Sequence, residues 1–346
     1  MILFLLWLGF LASAAAVVVA GTRLARCGDA IAARTRLGHL WVGSVFLAAA
    51  TSLPELVTDI AAVRFKALDL AAGDLFGSSM ANMLILAVLT LLPVGVGLFR
   101  RAALDHVLSG ALAVALSAIA AAVLVIRPPA EIFGVGVGSG LLLIVYLFGT
   151  QAIFRHSVTA RRAAAVEEMS VPPRPEVEDG TERAEGRRAL RQAIVGFLVA
   201  SVAILVAAPL FAGAAKRLAE LSGLGATFFG TLLVGVSTSL PEFVTSLAAI
   251  RMKAFDLAVG NLFGSNAMNM AIFVPLDLVS RRGPVLAVAS QVHAVSALTA
   301  IVLMSIGIAA IVQRAKKRFA ALESGALAMV VVYLLGLWLV YGATGG

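Results

Sequence analysis

Two short segments of this chain combine a carboxylate with hydroxyl groups and a proline. Thr51-Ser52-Leu53-Pro54-Glu55 recurs 187 residues later as Thr238-Ser239-Leu240-Pro241-Glu242, each time inside a strongly apolar run. An ionisable side chain within hydrocarbon is costly and rare. Two glutamates in register, each beside hydroxyls and a helix-breaking proline, therefore predict a cation site inside a membrane.

The prolines add backbone oxygens to the same two places. Pro54 has no amide hydrogen, so the carbonyl of Ala50 loses its helical partner, and Pro241 has the same effect on Ser237. A broken helix survives in a membrane where its loose backbone lines a hydrated cavity or binds an ion. Hard cations such as calcium take about six to eight oxygen ligands of these mixed types. We therefore predict a discontinuous helix at each motif.

The segment after each motif carries a second set of oxygens. Ser78 lies four residues before Asn82, and Ser265 lies four residues before Asn269. Residues four apart share one face of a helix. Each Ser–Asn face is predicted to meet the glutamate of a broken helix across the bundle axis.

The two halves of the chain are related by an internal repeat. Residues 51–83 and 238–270 align without a gap and are identical at 22 of 33 positions. Each half is predicted to hold five membrane spans, so the second copy must enter the membrane upside down. The predicted fold is an all-α membrane protein of ten transmembrane helices, arranged as two inverted five-helix repeats with discontinuous helices 2 and 7.

Composition agrees with a polytopic membrane protein. The chain is 61% hydrophobic and 13% charged, with a mean hydropathy of +1.00, against about 25% charged in soluble proteins. Runs long enough to cross a bilayer place the spans near 2–21, 39–62, 70–93, 104–126, 132–153, 192–213, 225–249, 256–279, 285–311 and 325–343. The predicted domains are an N-terminal repeat at 1–154 with its motif region at 43–90, a flexible cytoplasmic linker at 155–191, and a C-terminal repeat at 192–346 with its motif region at 230–277.

The basic residues predict the orientation. On this span assignment 20 of the 27 lysine and arginine residues fall on one side, which is expected to be cytoplasmic, and 7 on the other. Both termini are therefore predicted to be extracytoplasmic. The net charge of +8 then reflects topology and contact with anionic membrane lipid, and nucleic acid is not an expected partner. The single cysteine, Cys27, excludes an internal disulfide.

The paired motifs resemble those of the sodium/calcium exchanger family, within the calcium/cation antiporter superfamily. That family carries Gly-Thr-Ser-x-Pro-Glu in each broken helix and Gly-Asn-x-x-Gly-Ser-Asn in the helix that follows. The matching segments here are Ser237–Glu242 with Gly260–Asn266, and Ala50–Glu55 with Gly73–Ser79. The resemblance implies a prokaryotic-type inner-membrane antiporter that exchanges calcium for sodium by alternating access. It implies no enzymatic activity, no cofactor and no obligate protein partner.

The resemblance also implies a ligand set for the transported ions. Two carbonyls, near Ala48 and Gly235, belong to it. The side chains carried over from the motifs are Glu55, Glu242, Asn82, Ser78, Ser265, Thr51, Ser52, Thr238 and Ser239. The second amide of the centre, Asn269, completes the predicted site.

Three positions depart from the family pattern, namely Asn269, Asp74, and Ser79, which replaces an Asn. Asn269 stands where the family commonly has Asp, and Asp74 stands where it usually has Asn. We hypothesise that Asp74 restores a third acid nearer one mouth of the pathway; the alternative is a helix-start carboxylate stabilised by the helix dipole. Asp59, one turn after the first glutamate, has Ser246 as its counterpart and is a further candidate for the cavity.

Two other functions remain open at this point. Proton-driven exchange of calcium or another divalent ion is favoured by the missing acid at Asn269, because a buried carboxylate can exchange a proton for a cation. A passive cation channel or a non-transporting ion sensor would use the same oxygens without counter-ion coupling. Flux under a sodium gradient and under a pH gradient separates these possibilities.

Several other residues receive structural interpretations. Asp69 and Asp256 precede predicted spans and are expected to be helix N-caps. His293 is expected to have a packing or hydrogen-bonding role. Gly77 and Gly264 are expected to allow close approach of another backbone.

Overall fold

The computed structural model describes residues 2–35, 37–102, 104–168, 180–221, 238–313 and 320–343. One two-stranded antiparallel hairpin, Glu131–Ile132 with Val135–Gly136, interrupts an otherwise helical chain. The helices are α1 (Ile2–Arg34), α2 (Gly38–Trp41), a π-helix (Val42–Leu47), α3 (Ala48–Thr51), α4 (Leu53–Arg64), α5 (Leu68–Leu91), a 3-10 helix (Pro93–Gly95), α6 (Leu98–Arg101), α7 (His106–Ile126), α8 (Val137–Glu168), α9 (Gly180–Leu221), α10 (Leu240–Arg251), α11 (Phe255–Ala271), α12 (Phe273–Val279), α13 (Val285–Val288), α14 (His293–Gln313) and α15 (Ala320–Ala343).

The described helices agree with the predicted membrane fold. Eight of them are long and apolar enough to cross a bilayer, and the bent pair Gly38–Thr51 and Leu53–Arg64 makes a ninth span if it is counted as one. The predicted seventh span begins in residues 222–237, which lie outside the described part of the chain, and only its second half, α10, is seen. Eight of the ten predicted spans are therefore accounted for by long helices, and a ninth by the bent pair.

The second predicted span is discontinuous, as the proline at position 54 indicates. Ser52 (φ −87°, ψ 1°) separates α3 from α4, and the two segments are bent by 41°. Ser239 has nearly the same backbone angles (φ −87°, ψ 8°) directly before α10. The two motifs thus share one local conformation, although the residues preceding Thr238 are not described.

The helices after the motifs form the centre of the molecule. The apolar windows of α5 and of α11–α12 are 61% and 72% buried, against 17% to 44% for the other candidate spans. α11 packs against α5, against α7 and against the π-helix. α1 and α9, the first spans of the two halves, pack along each other at the periphery. The most polar helices are therefore enclosed by the most apolar ones.

Small residues let the π-helix approach α11 closely. A β-carbon added at Gly264 would lie 2.2 Å from the Ser44 carbonyl oxygen, and one added at Gly43 would lie 2.8 Å from the Leu257 carbonyl oxygen. The predicted close approach at Gly264 is confirmed. Gly77 has no such neighbour within 4 Å among the described residues.

Three sequence expectations need correction. Asp69 and Asp256 are not N-caps: Ala67 and Ala254 precede α5 and α11, without a side-chain capping bond. The main helix of the ninth predicted span begins at His293, after the short α13, rather than at residue 285. Helical structure also continues into the predicted linker from both sides, as far as Glu168 and again from Gly180, while residues 169–179 lie outside the description.

Candidate functional site

Amide groups from the two central helices meet at the middle of the bundle. Asn82 Nδ2 on α5 donates to Asn266 Oδ1 on α11 at 2.9 Å. Asn269 Nδ2 on α11 lies 3.4 Å from Ser79 Oγ on α5. Asn82 is the counterpart of Asn269, and Ser79 is the counterpart of Asn266, so the two bonds are equivalents that cross between the repeats. The amide nitrogens of Asn82 and Asn269 therefore bond to the opposite repeat's central helix, and the predicted meeting of these residues with a glutamate stays a prediction.

The hydroxyl of the first motif also bridges the repeats. Thr51 Oγ1 donates to Asn261 Oδ1 at 3.3 Å and lies 3.3 Å from Ser265 Oγ. It lies equally close to the carbonyl oxygen of Ala48, which also accepts the Ser52 amide at 3.0 Å. In this conformation Ala48 would have to release one of these bonds to bind an ion.

The two glutamates are buried without neutralising partners. Glu55 is 2% exposed and Glu242 is 0% exposed. No described residue makes a well-formed hydrogen bond to either carboxylate, although the Thr51 hydroxyl is near that of Glu242. The two carboxylates are close enough to repel each other electrostatically. A buried charge is stable only when it is paired, hydrogen-bonded or bound to a cation. The helix breaks at Ser52 and Ser239 bring both glutamates to this place.

Further buried oxygens around the glutamates also lack partners. The unpartnered buried atoms of the described structure include three sets of repeat equivalents, namely Ser52 Oγ with Ser239 Oγ, both oxygens of Glu55 with those of Glu242, and Asn82 Oδ1 with Asn269 Oδ1. Leaving a buried acceptor unpaired costs about 1 to 3 kcal/mol. Carboxylate, amide and hydroxyl oxygens are the ligands of hard cations, so this arrangement can bind such an ion.

Neutral oxygens would supply most of the ligands. Within the part of the chain that the structure describes, no three acidic, histidine or cysteine side chains are grouped so that they could hold one metal ion. A cation at the centre would therefore have two carboxylates and a larger number of amide, hydroxyl and water oxygens. Such a set carries less negative charge than a site of three carboxylates and is expected to bind the ion more weakly. Weaker binding favours release and exchange of the ion.

A small cavity lies beside the site. Glu55, Asp74 and Thr58 line it from the first repeat, and Thr238 lines it from the second motif. Pro54 and the stretch of α9 at Ala208, Pro209 and Ala212 form the rest of its described wall. The cavity thus brings Glu55 and Asp74 to one space between the two repeats.

Asp74 and Asp59 lie at the cavity side of the site. Asp74 is in the second turn of α5, which begins at Leu68, so the alternative of a helix-start carboxylate is not supported, because dipole stabilisation falls off within the first turn. Asp59 is 1% exposed, and its carboxyl group lies within hydrogen-bonding reach of that of Asp74. Asp59 contacts Asp74 but is not among the residues that line the cavity, so its predicted place in the cavity stays a prediction.

The second repeat has a neutral pair in the same position. Asn261 is the counterpart of Asp74 and Ser246 that of Asp59, and Asn261 Nδ2 donates to Ser246 Oγ at 3.1 Å. All four of these side chains join the helix that follows a motif to the broken helix of its own repeat. One repeat makes this contact with a hydrogen bond and the other with two acids.

The remaining predicted ligands are placed as follows. Ser78 and Ser265 are buried on the two central helices, and Thr238 lies at the cavity wall. Gly235 falls in residues 222–237, outside the described chain. Sequence reasoning missed the polar roles of Ser79 and Asn266. Their equivalence at the repeat offset, one residue after each predicted serine, is the signal that would have found them.

Two histidine–aspartate contacts also link the repeats. His106 Nε2 lies 3.0 Å from Asp256 Oδ1, and His293 Nε2 lies 3.2 Å from Asp69 Oδ1. The four residues are equivalents at the offset of 187. The hydrogen-bonding role predicted for His293 is confirmed. Each aspartate that was expected to cap its own helix instead binds a histidine of the opposite repeat.

Comparison with known proteins identifies the family of this chain. The sodium/calcium exchanger protein family model matches residues 5–155 and 192–342. The chain is 38% identical over 96 residues to the sodium/calcium exchanger MaX1 of Methanosarcina acetivorans, which covers 28% of this chain and 27% of that protein. It is 26% identical over 276 residues to the inner membrane protein YrbG of Escherichia coli, covering 78% of each.

A solved structure shares the fold. The sodium-calcium exchanger NCX_Mj, soaked with 2.5 mM Na⁺ and 10 mM Sr²⁺, superposes with a TM-score of 0.66 at 18% identity, over 97% of this chain and 98% of that one. The family model covers both repeats, and the superposition extends across nearly the whole fold. The chain therefore belongs to the sodium/calcium exchanger protein family and is a membrane cation antiporter, not an enzyme.

Proposed function

We propose that this protein exchanges calcium for sodium by alternating access, with the transported ions bound around Glu55 and Glu242. The observation that carries this proposal is the set of buried oxygens without partners, arranged as three pairs of repeat equivalents. A cation bound among them would relieve the cost of burying both carboxylates. The predicted ligands Thr51, Ser78 and Ser265 lie on the same helices as these oxygens.

The charge of the centre supports competition between the two ions. Two ionised glutamates carry two negative charges, which one calcium ion or two sodium ions neutralise. Occupation by both kinds of ion at once would leave an uncompensated positive charge in a buried site, which is unfavourable. Mutually exclusive occupation of one site is the physical basis of exchange.

The inverted repeats support alternating access. The two motifs have equivalent conformations, and each contributes one glutamate and one unpartnered serine. Repeats of opposite orientation can reverse which of them is open, with the site kept between them. On this proposal, ions enter the site from the side of the cavity beside Asp74. The basic residues further suggest an inner-membrane protein with both termini extracytoplasmic.

Flux measurements with the purified protein in liposomes test this function. Vesicles loaded with sodium and diluted into sodium-free buffer at equal pH should accumulate radioactive calcium, and vesicles without the sodium gradient should not. Accumulation driven only by a pH gradient would identify the proton-coupled alternative. Calcium movement that ignores both gradients would identify a channel, and binding without movement would identify a sensor.

A further inference from the structure

We propose that Asp59 and Asp74 bind a second hard cation, of the calcium type, beside the central glutamates on the cavity side. Asp59 is not among the ligands implied by the family motifs. A role of this second site in transport rests on the proposed function. Binding of a cation at the site does not depend on it.

Burial of the pair without compensation is the first argument. Asp59 is 1% exposed, and its Oδ2 has no hydrogen-bond partner in the described structure. Asp74 Oδ2 is likewise buried and unpartnered. Each ion pair among the described residues joins a histidine to an aspartate other than Asp59 or Asp74. No cationic side chain therefore neutralises these two acids in the described structure. Two acids in contact and without a cation repel each other.

The second repeat shows that helix packing does not require these acids. Ser246 and Asn261 hold the equivalent helices together with one neutral hydrogen bond of 3.1 Å. A neutral pair avoids the desolvation cost of carboxylates. The first repeat therefore carries two acids where a purely structural contact needs none, and a bound cation accounts for the difference.

The cavity supplies access and the remaining ligands. Asp74 and Thr58 line it together with Glu55. Two carboxylates provide up to about four oxygens, and calcium takes about six to eight, so the Thr58 hydroxyl and waters of the cavity would complete the shell. A calcium ion neutralises both carboxylates, whereas a single sodium ion leaves one negative charge.

The position of the pair suggests its use in exchange. Asp59 lies one turn beyond Glu55 on α4, toward the loop at residues 65–67, and Asp74 lies near the start of α5, which follows that loop. A cation here would stand between the open side of the cavity and the central site. It would be concentrated by the negative potential before it reached Glu55 and Glu242.

Equilibrium binding of radioactive calcium to the purified full chain in detergent tests the proposal. The informative variant is Asp59→Ser with Asp74→Asn, because it installs the hydrogen-bonded pair that the second repeat already uses, and it is therefore expected to fold. A second variant, Glu55→Gln with Glu242→Gln, removes the central charges. Glu131→Gln, in the exposed hairpin, is the matched control for loss of an acid.

The wild-type protein and Glu131→Gln should bind calcium at two classes of site. The Asp59→Ser/Asp74→Asn protein should lose one class and keep sodium-displaceable calcium at the other, and Glu55→Gln/Glu242→Gln should show the reverse loss. Unchanged calcium binding in the Asp59→Ser/Asp74→Asn protein would overturn the proposal and indicate that the two acids share a proton. If the wild-type protein binds calcium at both classes of site but shows no sodium-driven calcium flux, the proposed function is wrong and the second binding site still stands.

Discussion

The two repeats present the same oxygens at the centre of the site but differ in one nearby contact between helices. Around the centre, Glu55 and Glu242, Asn82 and Asn269, and Ser52 and Ser239 present equivalent oxygens. A short distance away, Asp59 and Asp74 face each other in one repeat, while Ser246 and Asn261 share a hydrogen bond in the other. On the proposed function, the symmetric residues form the centre that is exposed to each side of the membrane in turn. The acids Asp59 and Asp74 belong to the first repeat and have no acidic counterparts in the second.

The histidine–aspartate contacts provide a second comparison. Both cross between the repeats with nearly equal distances, but the His106 side chain is fully buried whereas that of His293 is 18% exposed. Their partners differ in the same direction, since Asp256 is less exposed than Asp69. Equivalent residues thus make the same contact in a drier environment on one side and in a wetter environment on the other.

The largest effect is expected at the central glutamates. Glu55→Gln and Glu242→Gln should each reduce sodium-driven calcium uptake by about 100-fold or more, because removing one of a set of buried interacting charges costs about 2 to 5 kcal/mol. Equal losses would confirm that the two repeats share one site. Uptake is measured in liposomes with Glu131→Gln as the control. Normal uptake by either glutamine variant would contradict the assignment.

The next largest effect concerns packing at α11. Gly264→Ala should destabilise the protein by about 3 kcal/mol, because its β-carbon would overlap the Ser44 backbone, which cannot move aside as a side chain can. Thermal unfolding in detergent, followed by loss of the monodisperse peak, measures this change. The matched substitution Gly140→Ala, in α8, has open space around it and should leave the transition unchanged or raise it. Similar transitions for the two variants would show that the close approach does not matter.

Removal of the central amides should have a smaller effect on transport. Asn82→Ala and Asn269→Ala should each weaken calcium uptake by about tenfold, since a lost hydrogen bond that leaves a buried partner unpaired costs about 1 to 3 kcal/mol. Their bonds to Asn266 and Ser79 are equivalents, so the two losses should be similar. The dependence of initial uptake rates on calcium concentration gives the comparison. A loss confined to one variant would show that the centre itself is asymmetric.

The smallest effect is expected for the histidines. His106→Ala should lower the unfolding free energy by about 1 kcal/mol more than His293→Ala, because the fully buried His106 ring leaves a larger cavity than the partly exposed His293 ring. Thermal unfolding of both variants in one detergent measures the difference. Equal shifts would mean that the difference in burial has no energetic consequence.

Much of the centre could be predicted from the sequence because its residues lie in two short motif regions that are identical at 22 of 33 aligned positions. The prolines at 54 and 241 indicated the broken helices, and the four-residue spacing of Ser78 and Asn82 indicated one helical face. Contacts between the repeats could not be predicted in this way. Asp69 and Asp256 have the position and residue type of N-caps, but their partners are histidines more than a hundred residues away in sequence.

The π-helix at Val42–Leu47 was not predicted for a similar reason. Its residues are apolar and helix-compatible, and the widened turn is found where Gly43 and Ser44 pack against α11. Such a packing contact depends on the shape of a neighbouring helix. A local pattern in the sequence carries no information about that shape.

The sequence by itself determined the membrane location, the inverted repeat and the identity of the two buried glutamates, because each follows from hydropathy, span number and local residue type. Only the tertiary structure decided that Asn82 meets Asn266, that Asp59 meets Asp74, and that the oxygens around the glutamates have no partners among the described residues. The physical reason is that hydrogen bonding and charge compensation depend on distances between helices. Those distances are set by packing of the whole bundle.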